Sequence, residues 1–309
     1  MRHICVIGDS STAALKAGWV EIAASYDDIN LTFFASPGES LRSLELSGRC
    51  LTTDDDAVAA RFSMTSGGLT IIDLDDYDEV WIAGLGIGHA STVEVYSGFR
   101  SEEHDNLGDE QILVSQDAFD LMVEARIRNA AASALAQDIE HIVGPVPVIC
   151  RPLPCHDIVS RDPTWAAAID NDATSLLDSF VRGMHEVAAD TMSIHTQPAV
   201  LCESSLTTKP EYSLDAIALD MVSKAPAADM WHMNAAFGVE MLREMLAESG
   251  DPRDGSGRAP APCGCSSLCS SEMLQRPAPL LADYFKETRR GYDELRRATV
   301  VMANVTCPR

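Results

Sequence analysis

Positive charge is scarce in this chain. Its 309 residues hold 23 Lys and Arg against 47 Asp and Glu, a formal net charge of −24. The deficit lies in the first 250 residues, with 14 basic and 40 acidic side chains; from Asp251 onward nine basic face seven acidic. Phosphate binding needs clustered Lys and Arg, so such a body disfavours nucleic acid, no nucleic-acid partner is expected, and the charge reads as a solvated acidic surface. Aromatic residues are few, at 6%. No apolar run approaches the length of a membrane span. No secretory pattern precedes the first apolar run, which follows Met1-Arg2 directly, and a reducing, cytoplasmic setting is the expectation. Nine cysteines cannot all pair; Cys5, Cys150 and Cys202 sit in apolar runs and read as small buried hydrophobes. Metal ligands are also lacking. Cys263, Cys265 and Cys269 are three thiols without a fourth partner nearby, whereas a structural zinc site takes four ligands.

The apolar content is 46%, enough for a real core. Short apolar runs alternate with longer amphipathic segments, the pattern of a parallel sheet covered by helices. Strands are expected at His3–Ile7, Asn30–Phe34, Glu79–Ala83, Pro147–Cys150 and Ala199–Cys202. Helices are expected at Thr12–Ala24, Gln116–Asp138, Asp170–Ala188 and Ala235–Glu248. Two polar stretches, Ser47–Asp76 and Ser91–Gly108, read as insertions over the edge where the strands end, where such sheets bind ligands. The composition changes at Ser249. Residues 1–249 therefore read as one α/β domain, 250–279 as a Gly/Pro/Ser/Cys-rich linker and 280–309 as a basic amphipathic helix. Docking of that helix on the domain or on a second subunit, giving a homo-oligomer, is the expectation.

Two short motifs carry the chemistry. Gly8-Asp9-Ser10 closes the first apolar run, and Asp229-Met230-Trp231-His232-Met233-Asn234 precedes the last amphipathic helix of the domain. A serine between a parallel strand and a helix sits at the carboxyl edge of the sheet, with its N–H at a helix N-terminus where negative charge is favoured. An imidazole in a loop can serve it as base, and an acid three residues earlier can orient the ring. The competing reading is capping: Ser10, Ser11 or Thr12 for the first helix, Asp229 or Asn234 for the last. Arg151-Pro152-Leu153-Pro154 follows the fourth strand and is expected to shape the pocket wall.

On these motifs the chain resembles the SGNH/GDSL hydrolase superfamily, which spans esterases, lipases, carbohydrate acyl-esterases and O-acyltransferase-like domains. Gly8-Asp9-Ser10 matches its first block and Asp229-Met-Trp-His232 its last, with Met233, Asn234 and Gly238 resembling the usual continuation. The resemblance covers about the first 250 residues. It implies a three-layer α/β/α, flavodoxin-like fold with a parallel sheet and a Ser10-His232-Asp229 triad. It implies no cofactor and no metal. The substrate would be a small-molecule or glycan ester, cleaved by hydrolysis or passed as an acyl group to a sugar hydroxyl; a catalytically weak ligand-binding domain is the rival. Gly38 stands where the family's second block donates a backbone N–H to the oxyanion. The chain departs in the third block, Ala83-Gly84-Leu85-Gly86-Ile87-Gly88-His89, where Gly86 falls at the family's oxyanion asparagine. His89 is then a candidate substitute donor; its competing reading is a helix cap.

Overall fold

In the computed structural model, residues 1–105, 111–159, 161–188, 191–220 and 231–248 are described. Their centre is a parallel sheet of β1 (Arg2–Gly8), β2 (Ile29–Ala35), β3 (Glu79–Ala83), β4 (Val146–Ile149) and β5 (Met192–His195). The order across the sheet is β5-β4-β3-β1-β2, with every pairing parallel. The chain leaves β1 to one side for β2 and returns to the other for β3. That reversal opens a crevice at the carboxyl ends of β1 and β3, the place where doubly wound sheets bind ligands.

Successive strand residues point to opposite faces. Cys5, Ile7, Phe34, Val80, Ile82 and Val148 join one buried cluster, and Ile4, Val6, Leu31, Phe33, Trp81 and Ile149 join another. The main helices are α1 (Thr12–Ile22), α2 (Asp56–Ser66), α3 (Ala90–Tyr96), α4 (Gln116–Arg128), α5 (Ala131–Val143), α6 (Ala173–Ala188) and α7 (Ala235–Glu248). Helices α1 and α7 cover the second face; α2 to α6 contribute to the first. The result is the three-layer α/β/α arrangement expected. Helices α1 and α7 cross with their backbones touching. A Cβ on Gly238 would lie 1.8 Å from the Ala14 carbonyl oxygen, and one on Gly18 would lie 2.4 Å from Gly238 C. Only glycine at both positions permits this approach. It seats the first turn of α7 against the first turn of α1.

Several boundaries differ from the sequence expectation. The fifth strand is Met192–His195, not Ala199–Cys202. Ala199–Leu201 forms a 3-10 turn, and Cys202–Ser204 pairs only with Thr207–Thr208. β5 is an edge strand paired with β4 alone, so half of its side chains need no apolar partner and its signal is weak. Gln116–Asp138 is two helices rather than one. Ala130 adopts an extended conformation at ψ 149°. The Ala132 N–H goes instead to the Leu85 carbonyl at 3.1 Å, and the buried Ser133 hydroxyl goes to the Ile127 carbonyl at 2.6 Å. Helix α6 begins at Ala173, after a π-helical turn at Ala168–Asp172. The Asp172 carboxylate is buried there, accepting from the Tyr96 hydroxyl at 2.5 Å. Ser47–Asp76 is no simple insertion. It contains α2, capped by Asp55 and ended by Gly67, whose Val58 and Phe62 enter the core as the crossover from β2 to β3. Ser91–Gly108 lies in part on α3, with Tyr96 and His104 buried; residues 106–110 are outside the described residues. The expected linker 250–279 and helix 280–309 also lie outside them. Among the described residues no helix is long and apolar enough to cross a membrane.

Candidate active site

The turn after β1 is organised by Asp9, whose side chain is buried. Its Oδ1 accepts from the Ser11 N–H at 2.9 Å and the Ser11 hydroxyl at 2.7 Å. Its Oδ2 accepts from the Leu85 N–H at 2.9 Å and from Arg151 Nη2 at 3.0 Å. One carboxylate thus ties together the ends of β1, β3 and β4. The charge is buried because all four contacts donate to it. Gly84, at φ +73°, makes room for it: a Cβ there would lie 2.6 Å from both Asp9 oxygens.

Ser10 sits on this clamped turn, at the entry to α1. The capping reading fails for its hydroxyl: Ser11 holds the N-cap position, no side chain caps the helix, and the Ser11 hydroxyl is spent on Asp9. Ser10 lines an open cavity of about 160 Å³ together with Asp9, Ser11, Gly38, Arg151, Trp231 and His232. Ser10 and His232 share this cavity.

His232 reaches the cavity because its segment is pinned on both sides. The Trp231 ring packs edge-on against Trp165, with centroids 5.7 Å apart. Met233 is buried in the cluster between the sheet and α7. The Asn234 N–H donates to the Tyr212 carbonyl at 2.8 Å, and its Nδ2 donates to the Glu211 and Leu214 carbonyls at 2.8 and 3.0 Å. The Asn234 Oδ1 accepts from the Phe237 N–H at 3.1 Å, which caps α7.

Of the residues expected from the sequence, Ser10, Gly38 and His232 meet in this cavity. Asp229 lies outside the described residues. Gly86 and His89 are not in the lining. Gly86 has φ +90°, and a Cβ on it would face the Ala130 Cβ at 3.4 Å, so a side chain there would point at the start of α5. His89 is buried, with its ring against Phe180 at a centroid distance of 4.4 Å and no side-chain cap made to α3. Its Nδ1 has no partner, and burial pushes its pKa down to about 4. It is therefore a neutral core histidine near neutral pH. The Asp9 clamp has no signal in the sequence motif beyond the residue itself, whereas Arg151, expected as pocket wall, is a lone arginine just after a strand in a very acidic chain, and that is a signal. Among the described residues no three His, Cys, Asp or Glu group as metal ligands.

No protein-family model and no curated protein matches the chain. Among the solved structures similar to it are the following three. A lipase, Lip_vut3 from a goat rumen metagenome, is 15% identical with a TM-score of 0.40, over 82% of this chain and 99% of the lipase. A mutant of Axe2, an acetyl-xylooligosaccharide esterase from Geobacillus stearothermophilus, is 13% identical with a TM-score of 0.33, over 81% of this chain and 94% of that one. The periplasmic domain of a Salmonella ser. Paratyphi A lipopolysaccharide acetyltransferase is 13% identical with a TM-score of 0.35, over 80% and 83% of the two chains. At these values the likeness is too distant to assign a residue role or a substrate to this chain.

Proposed function

We propose that this cavity is the active site of a serine esterase that cleaves small acyl esters without a cofactor. The observation that carries the reading is the meeting of Ser10, Gly38 and His232, from three distant parts of the chain, in one cavity at the carboxyl edge of the sheet. His232 takes the proton of Ser10 as Oγ attacks the acyl carbonyl, then gives it to the departing alcohol. Asp229 is the proposed partner that orients the imidazole. The Ser10 and Gly38 N–H groups are the proposed backbone donors to the oxyanion. Water, activated by His232 in turn, releases the acid. The cavity of about 160 Å³ is smaller than the ~300–1,000 Å³ pockets of drug-sized ligands, which suits a short acyl group with the alcohol portion left outside. The same acyl-enzyme could pass its acyl group to a sugar hydroxyl, and the two fates are separated by adding acceptor alcohols.

The test is hydrolysis of p-nitrophenyl acetate by wild type, Ser10→Ala and His232→Ala. Turnover by wild type, loss of it in both variants and covalent labelling of wild type alone by a fluorophosphonate are expected. Equal background rates in all three would overturn the esterase reading in favour of a binding domain.

A further inference from the structure

We propose that Arg151 is a catalytic oxyanion donor, supplying the side-chain N–H that Gly86 cannot; this rests on the esterase reading above. The placement comes from the sheet. Arg151 follows the end of β4 and lines the cavity beside Ser10 and Gly38. Its backbone is locked to the β3 loop, since the Arg151 N–H donates to the Ile87 carbonyl at 2.7 Å and the Gly84 N–H donates to the Ile149 carbonyl at 2.8 Å. A Cβ on Gly88 would lie 3.2 Å from the Arg151 Cβ, so the loop and the arginine are closely packed there. The third-block loop therefore still serves the site, by carrying an arginine from the next strand instead of an asparagine of its own.

The aim of the guanidinium comes from Asp9. Nη2 donates to Asp9 Oδ2 at 3.0 Å, and Asp9 is bonded directly to Ser10 in the chain. Among the described residues this is the side chain's one hydrogen bond. A guanidinium has five N–H donors in a rigid fork, so anchoring one nitrogen on Asp9 leaves others for the cavity. The side chain is about one-third exposed, and Arg151 is among the residues that line the cavity. The other candidates do not line the cavity: a side chain at 86 would face Ala130, and the buried His89 ring packs tilted against Phe180.

In the step assigned, the Ser10 Oγ–carbon bond forms as the Ser10 proton passes to His232. The carbonyl electron pair moves onto oxygen. That oxyanion accepts from the Ser10 and Gly38 N–H groups and from Arg151. Collapse breaks the carbon–alkoxide bond, and the alkoxide leaves with the proton held by His232.

The experiment measures kcat and KM on p-nitrophenyl acetate for wild type, Ser10→Ala, Arg151→Gln and Arg151→Lys, with circular dichroism to confirm folding. It also measures inhibition by a small boronic acid, which becomes tetrahedral on Ser10, and by the matching planar amide. Arg151→Gln should lose about 100- to 1,000-fold in kcat with little change in KM, as removal of an oxyanion donor does. Arg151→Lys, which keeps the charge near Asp9 but not the fork, should lose about 10-fold or more. Boronic-acid affinity should weaken in proportion to kcat/KM while amide affinity stays level. If Arg151→Gln does not fold, Arg151→Lys decides, and a kcat within threefold of wild type overturns the proposal. A rise in KM alone, or equal weakening of boronic acid and amide, also overturns it and makes Arg151 a substrate-binding residue. Ser10-dependent turnover that ignores Arg151 sinks this proposal but not the esterase reading; turnover independent of Ser10 sinks both.

Discussion

Replacing Asp9 by asparagine should cost the protein much of its stability without changing its shape. The carboxylate accepts four hydrogen bonds, two on each oxygen. An amide has one acceptor oxygen and one donor nitrogen, so it can match only one pair. With oxygen toward Ser11, the new NH2 group faces the Leu85 N–H and the Arg151 guanidinium, donor against donor. Flipped, it faces the Ser11 N–H and hydroxyl, although that hydroxyl can rotate away. Either way one backbone N–H is left unmatched at a buried site, at about 1–3 kcal/mol. Arg151 loses its anchor but is about one-third exposed and can be rehydrated, so its share is small. The donor clash adds to this, and the sum is about 2–4 kcal/mol. For a domain of this size that lowers Tm by roughly 5–15 °C. Urea unfolding followed by circular dichroism gives the difference directly, provided the slopes agree. Asp75→Asn is the control. Its pair with Arg49 is exposed, with side chains 59% and 51% accessible, and such pairs contribute about 0–1 kcal/mol. An Asp9→Asn midpoint indistinguishable from that of Asp75→Asn would refute the clamp.

Other perturbations follow from the same contacts. Gly238→Ala puts a Cβ 1.8 Å from the Ala14 carbonyl oxygen and must part α1 from α7, so calorimetry should show a loss of about 1–3 kcal/mol or more; a Tm within 2 °C of wild type, on the order of experimental scatter, would contradict the crossing. His89 has a pKa lowered to about 4 by burial, below its ordinary 6.5. The folded state therefore resists protons that the unfolded chain accepts, and its stabilising share is full above pH 6.5 and is lost as pH falls to about 4. That share is about 3 kcal/mol at most, and urea midpoints of His89→Leu should fall less steeply over the window than those of wild type; parallel slopes would contradict it. Trp231→Ala removes the ring that holds the His232 segment against Trp165, so kcat in the ester assay should drop more than KM changes. An unchanged kcat would mean that Asn234 and Met233 suffice.

The amino-acid sequence by itself determined the α/β class and four of the five sheet strands to within a residue or two, and it singled out two motifs, around Ser10 and His232, that line one cavity. Buried strands such as Cys5–Ile7 and Val80–Ala83 are continuous apolar runs, and Gly8-Asp9-Ser10 and His232 are local motifs whose chemistry is written in residue type. Tertiary structure decided what local pattern could not carry. The break between α4 and α5 is made by a carbonyl from Leu85 and by the buried Ser133 hydroxyl, although the helix-forming composition runs through it. The edge strand Met192–His195 exists because β4 offers it a ladder, not because its residues demand one. Gly86, expected at the oxyanion, has a positive φ, and a Cβ built on it would face Ala130 rather than the cavity lined by Ser10 and His232. Arg151, far from Ser10 in sequence, reaches the same cavity because β3 and β4 lie side by side and Asp9 bridges their ends. Residue type states which groups can do chemistry. Which of them meet is set by strand order and by the hydrogen bonds that only a folded sheet brings within reach.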